Sequence, residues 1–161
     1  MINHITLRKW VAECAELCEP DNIIYCDGSE EERGRLEQEA FDTGELIQLN
    51  QEKLPGCVYH RTAANDVART EHLTFICTTR KEDAGPTNNW MNPEEAYEKA
   101  RSIFKGSMRG RTMYVVPFSM GPLASPFSKF GVELTDSIYV VLNLSLIHIS
   151  EPTRPLYISY A

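Results

Sequence analysis

Apolar residues recur at helical spacing from Thr6 to Leu17, where Leu7, Trp10, Val11, Cys14 and Leu17 form one stripe. The pattern predicts an amphipathic helix. Cys18-Glu19-Pro20-Asp21 ends it, because a proline disfavours helical backbone in the residue before it. Asn22 to Cys26 reads as a short strand closed by Asp27-Gly28. Ser29 offers an N-cap, and Glu30 to Glu32 place negative charge on the free N–H groups of a second helix reaching about Phe41. Asp42-Thr43-Gly44 stops that helix, and Leu46 to Leu49 is a short apolar segment before the Gly56 turn. Leu73 to Thr78 predicts a strand, and Lys81 to Asn92, rich in turn formers, a surface loop. Asn92 as N-cap, Pro93 at the first helical position and Glu94-Glu95 behind it start a third helix that runs to Phe104 and stops at Gly106. Met113 to Pro117 and Ile138 to Leu142 are further strand candidates. Strands alternate with helices, which defines an α/β class, and no internal repeat is visible.

A chain of 161 residues, 42% hydrophobic, is sized for one core. Its net charge of -7 and pI near 5.1 argue against nucleic acid or an anionic membrane as partner, since both recruit clustered Lys and Arg. The strongest basic cluster, Met108-Arg109-Gly110-Arg111, is short and reads as an anion site or, more simply, as a solvated loop face. No apolar stretch approaches the roughly 20 residues of a membrane-spanning helix, and the N-terminus lacks the apolar region of a secretory signal. The five cysteines, Cys14, Cys18, Cys26, Cys57 and Cys77, are odd in number and form no C-x-x-C pair. Cys14 and Cys18 lie one helical turn apart, as a metal site would need; free thiols of a reducing cytoplasmic compartment are the simpler reading.

His4, His60, His72 and His148 form no spaced ligand set, so no metal site is expected, and nothing arranges Ser, His and Asp as a triad. Gly121 to Lys129 superficially suggests a phosphate loop. It lacks the paired glycines of that motif, and two prolines remove backbone donors, so a rigid connection between strands is expected. Trp10 and Trp90 read as packing residues, with Trp90 also placed to cap a loop. In the run Asn65-Asp66-Val67-Ala68-Arg69-Thr70-Glu71, Arg69 on its own would simply pair with Asp66 or Glu71.

The block GRTMYVVPFSMGPLASPFSKFGVELTDSIYVV, Gly110 to Val141, resembles a signature of GTP-dependent phosphoenolpyruvate carboxykinases, and the similarity extends from Ile5 to Leu142. The resemblance implies a partial N-terminal lobe: a mixed sheet with flanking helices, truncated, over residues 1–143. Family members carry a similar Asp-Val-Ala-Arg-x-Glu run whose arginine binds a carboxylate of oxaloacetate or phosphoenolpyruvate. Arg69 is therefore the implied substrate-binding residue. A guanidinium presents a planar fork of donors that matches a carboxylate bidentately and stays charged at any working pH. Glu71 is either a site-mouth residue or an orienting carboxylate for Arg69, sharing its face if the segment is extended. In such enzymes oxaloacetate loses CO2, and the enolate, held by Mn2+, takes the γ-phosphoryl group of GTP. The resemblance thus implies a cytoplasmic, monomeric enzyme of gluconeogenesis or anaplerosis. Its residues for Mn2+ and GTP lie beyond the matched region, so no catalytic, cofactor or metal residue is assigned here and the chain as written is expected to be inactive.

From Leu144 the sequence reads LSLIHISEPTRPLYISYA, and LSLIHISEPTR resembles one translated frame of a sequencing-library adapter. Residues 144–161 are accordingly read as a non-native tail, against the alternative of a genuine terminal strand from Leu144 to Ile149. Two other functional readings remain. One is a stand-alone, non-enzymatic module that uses Arg69 to bind a dicarboxylate or an exposed strand to bind a partner. The other is a small α/β protein with a cysteine-based redox role.

Overall fold

In a computed structural model, residues 4–62, 70–122 and 125–149 are described, the last five by backbone alone. Helix α1 spans Ile5–Cys18 and ends on Glu19, whose left-handed backbone (φ 56°) lets its N–H donate to the Ala15 carbonyl immediately before Pro20. Strand β1 (Asn22–Tyr25) leads through Asp27-Gly28 into α2 (Glu30–Thr43). The start of α2 is a capping box. Glu32 N–H donates to Ser29 Oγ (3.1 Å), and Glu32 Oε2 accepts from the N–H groups of Asp27 (2.9 Å) and Gly28 (3.0 Å). Gly44, at φ 79°, closes the other end.

A two-stranded antiparallel ribbon comes next, β2 (Ile47–Gln48) with β3 (Val58–Tyr59). Helix α3 (Pro93–Phe104) begins as the sequence predicts, with Asn92 Oδ1 accepting from Glu94 N–H at 2.9 Å. Strands β4 (Thr112–Met120) and β5 (Lys129–Thr135) form an antiparallel pair, and β1 lies parallel to β4 on its other side. The resulting mixed sheet has the order β1-β4-β5. β1 stops at Tyr25 opposite Val115, so beyond that point β4 has β5 as its only strand neighbour among the described residues, and Pro117 is tolerated there. Gly131 of β5 faces Phe118. A Cβ on Gly131 would stand 2.5 Å from the ring, so only glycine lets that ring lie across the strand.

Two expected strands are absent. Ile138 to Leu142 belongs to a helix, α4 (Ile138–Ile149). The β-branched run favours a strand, but Ile138, Val141 and Leu142, at positions i, i+3 and i+4, are all buried, which only a helix accomplishes. Leu36 and Ala40 of α2 and Tyr114 and Val116 of β4 complete this core, so α2 and α4 cover one face of the sheet. Leu73 to Thr78 is likewise not a strand. A 3-10 turn occupies Glu71–Leu73, and the remainder makes a single parallel bridge, Ile76 to Trp90, because no full-length partner strand lies beside it among the described residues. The expected loop from Lys81 contains a 3-10 turn at Lys81–Ala84.

The α1 stripe is partly realised: Val11 is buried, Leu7, Cys14 and Leu17 are half-buried, and Trp10, expected to pack, is exposed. No helix among the described residues is long and apolar enough to cross a membrane. Leu36 is fully buried whereas Tyr97 on α3 is exposed. Leu36→Ala is expected to lower the unfolding free energy by about 3 kcal/mol in urea titrations. Tyr97→Ala should change it by less than about 0.5 kcal/mol. Equal losses would contradict the placement of the core.

Candidate functional site

Arg69, the implied substrate residue, lies outside the described residues, as do its neighbours from Ala63 onward. The chain is described again from Thr70. Glu71 opens the 3-10 turn and is exposed. The turn is tied to a distant loop: Asn89 Nδ2 donates to the carbonyls of Glu71 (2.8 Å) and Thr74 (3.2 Å). The Ile76 N–H donates to the Asn89 carbonyl (2.8 Å), and the Trp90 indole N–H donates to the Thr78 carbonyl (2.9 Å). Trp90 is thus the loop cap that its position suggested. Lys99 of α3 stands 5.6 Å from the centre of the Phe75 ring, a cation–π contact beside the same segment.

The other candidates resolve into structural roles. Between β4 and β5, the described residues from Gly121 to Ser128 hydrogen-bond among themselves and to Ser119. Ser119 Oγ donates to the Gly121 carbonyl (3.0 Å), Ser125 N–H to the Pro122 carbonyl (2.9 Å), and Ser128 Oγ also to Pro122. Among the described residues it is the braced connection expected, not a ring of free donors. In the basic cluster, Arg109 pairs with Glu19 (2.6 Å) and Arg111 with Asp136 (2.5 Å), while Gly110 N–H donates to Asp21 Oδ1 (2.9 Å). Each guanidinium already has a carboxylate, which favours the solvated, ion-paired face over an anion site.

A β-strand leading through a glycine turn into a helix N-terminus is the arrangement that binds phosphate in many α/β proteins. Here the β1–α2 turn is filled by its own acid, because Glu32 takes the donors that a phosphate would need. No group of three or more His, Cys, Asp or Glu that could hold a metal exists among the described residues. The β1–α2 turn therefore does not fit a phosphate.

One cluster was not foreseen from the sequence. Glu45 Oε1 accepts from Ser137 Oγ and from Tyr139 N–H, both at 2.9 Å, at the start of α4. The Glu45 carbonyl is 2.7 Å from His60 Nδ1, and the His60 ring stacks on Tyr139 with centroids 3.9 Å apart. A carboxylate at a helix N-terminus is stabilised by the exposed N–H groups. Ser137 before an apolar run was the available signal for a cap; nothing local pointed to Glu45, some 90 residues away.

Geometry and fold define an α/β domain with a mixed three-stranded sheet. The model of the phosphoenolpyruvate carboxykinase N-terminal domain matches residues 9–151, and the chain belongs to that family. It is 60% identical over 140 residues to the phosphoenolpyruvate carboxykinase (GTP) of Anaeromyxobacter sp. (strain K), which covers 87% of this chain and 24% of that protein. The enzyme of the same name from Chlamydia caviae is 51% identical over 145 residues, 90% of this chain and 24% of its own length. That from Corynebacterium kroppenstedtii is 51% identical over 140 residues, 87% and 22%. The chain thus spans about a quarter of the length of the curated relatives it matches.

All five cysteines are free. Burial pushes the Cys26 thiol from 9.0 up to about 12, and likewise the Tyr114 hydroxyl from 10.0 up to about 12. Each group stays protonated in the folded chain at pH values where the unfolded chain has released its proton. Their stabilisation is complete below pH 9, declines above it, and is lost by about pH 12. The urea midpoint is expected to fall between about pH 8 and about pH 10.5, and to fall less steeply in Cys26→Ala. A midpoint that rises over this interval would contradict the burial of both groups.

Proposed function

We propose that the chain is the carboxylate-binding part of a GTP-dependent phosphoenolpyruvate carboxykinase. That enzyme converts oxaloacetate and GTP to phosphoenolpyruvate, GDP and CO2. The observation that carries this reading is the 60% identity to an enzyme of that name, together with the run Asp66-Val67-Ala68-Arg69 and Glu71 within the matched span. Arg69 takes the substrate role, gripping a carboxylate of oxaloacetate or phosphoenolpyruvate through two parallel N–H···O bonds.

Decarboxylation gathers negative charge on an enolate oxygen and phosphoryl transfer adds more, so the reaction needs a divalent ion beside the phosphates. Mn2+ and GTP are assigned to parts of the family enzyme outside this quarter. The 161 residues alone are accordingly read as inactive, and the whole enzyme as a cytoplasmic monomer acting on small molecules, with neither nucleic acid nor membrane as partner.

Oxalate, a non-reacting dicarboxylate, is the probe. Titrated into the isotopically labelled chain, it should shift the Arg69 side-chain N–H resonance. Arg69→Ala should abolish the binding response, and Arg69→Lys, which keeps the charge but loses the fork, should weaken it about tenfold. Undiminished oxalate binding by Arg69→Ala would remove Arg69 from the site.

Residues 144–161 are proposed to be a non-native tail, on the strength of the LSLIHISEPTR run, against the family match that runs on to residue 151. Resequencing of the gene across the codons for Val141 to Ile149 is expected to depart from the present sequence after Asn143. An identical reading through Ala161 would make the tail genuine.

A further inference from the structure

The sheet order β1-β4-β5 leaves β5 at an edge. Among the described residues, no group outside β4 hydrogen-bonds to the backbone of Lys129–Thr135. In an antiparallel pair alternate residues turn their N–H and C=O groups toward and away from the neighbour, so part of the β5 backbone points outward. An edge of this kind is a template for another strand. The opposite edge, β1, offers only four residues, whereas β5 offers seven.

The side chains of β5 restrict what it can receive. Its register with β4 puts Lys129, Gly131 and Glu133 on one face, with Phe130, Val132 and Leu134 on the other. Lys129 and Glu133 are exposed, and neither enters an ion pair among the described residues. They cannot serve each other, because four residues of strand separate them by about 13 Å. Phe130 is a large apolar side chain left 71% exposed.

A second copy of β5, antiparallel and aligned on Gly131, answers all of these features at once. Lys129 then stands opposite Glu133 of the partner strand, and Glu133 opposite Lys129, giving two ion pairs by symmetry. Phe130 meets Val132 on the other face, again twice. Gly131 lies on the axis and places no bulk between the two charge pairs; the space a Cβ would take there belongs to the Phe118 ring. Any other register unpairs both charges, and a strand of unrelated sequence meets an unmatched Lys or Glu, which opposes pairing.

We propose that β5 is a self-recognising edge through which two copies of the 161-residue chain form a two-fold dimer centred on Gly131, joining their sheets into one. The inference concerns this chain, not the whole enzyme read above as a monomer, and does not depend on the role of Arg69.

Sedimentation of the 161-residue chain across a concentration series tests it, with far-ultraviolet circular dichroism as the control for folding. The wild-type chain is expected to show a monomer–dimer equilibrium. Lys129→Glu and Glu133→Lys should each weaken it about tenfold, because each sets like charges opposite one another in both pairs. The double reversal should return the affinity to within about twofold of wild type. An equimolar mixture of the two single variants should also dimerise as wild type does, since every pair across that heterodimer is again opposite in sign. Only contacts between copies can give this rescue. Should a reversal unfold the chain, Lys129→Gln and Glu133→Gln serve instead: each removes both pairs, so combining them should weaken the dimer no further.

A wild-type chain that stays monomeric throughout overturns the proposal. So does a dimer indifferent to both reversals, or one that neither the double variant nor the mixture restores. Assemblies that grow beyond the dimer equally in all variants overturn it too, since they show association through another surface.

Discussion

Four consecutive residues of β4, Met113 to Val116, are buried, and in a strand neighbouring side chains point to opposite faces. The centre of that strand must therefore be shielded on both sides at once, and the rest of the fold is arranged around this requirement. On one side α2 and α4 supply Leu36, Ala40, Ile138 and Val141 against Tyr114 and Val116. Along its edges β4 receives β1 in parallel and β5 in antiparallel register, so its backbone polar groups are paired where its side chains are driest. Once β1 ends, the constraint relaxes: Pro117 and Met120 are exposed, and proline becomes admissible.

Elements whose ends are written in local chemistry were legible before the fold was known. Ser29 with Glu32, Asn92 with Pro93, and Gly44 each act over no more than a few residues, and α2 and α3 begin and end where those signals lie. The failures share a cause. Ile138 to Leu142 has the composition of a strand, and its conversion to helix depends on Glu45 reaching the Tyr139 N–H and on burial against α2 and β4. Leu73 to Thr78 has strand composition without a neighbour of matching length among the described residues, and strand propensity expresses little more than fit to a neighbour. Trp10 sits on the predicted apolar stripe and is nonetheless exposed, since a stripe's width does not say how much of it a partner covers.

The candidate site was legible to a different degree. Its arginine is ordinary by residue chemistry, because an Arg between Asp66 and Glu71 is sufficiently explained by ion pairing; only the family resemblance of the longer run led to the proposal of a substrate role. Asn89 carries no signal at all in a linear reading. Its partners Glu71 and Thr74 lie 18 and 15 residues away, and an Asn in a turn-rich stretch has a local explanation ready. By contrast, the exclusion of phosphate from the β1–α2 turn was half visible, since Ser29 and Glu32 together spell the capping box that fills it.

Glu45 is held at both ends, by His60 at its backbone carbonyl and by the first turn of α4 at its carboxylate. The Tyr139 amide hydrogen is consequently not protected by its own helix. Its shield is a side chain rooted beside β2, and His60, the residue after β3, holds that side chain's backbone. Solvent exchange at this one amide therefore reports the closure of the ribbon onto α4, and separates fraying of the ribbon from unwinding of the helix, two events that a bulk spectroscopic signal would merge.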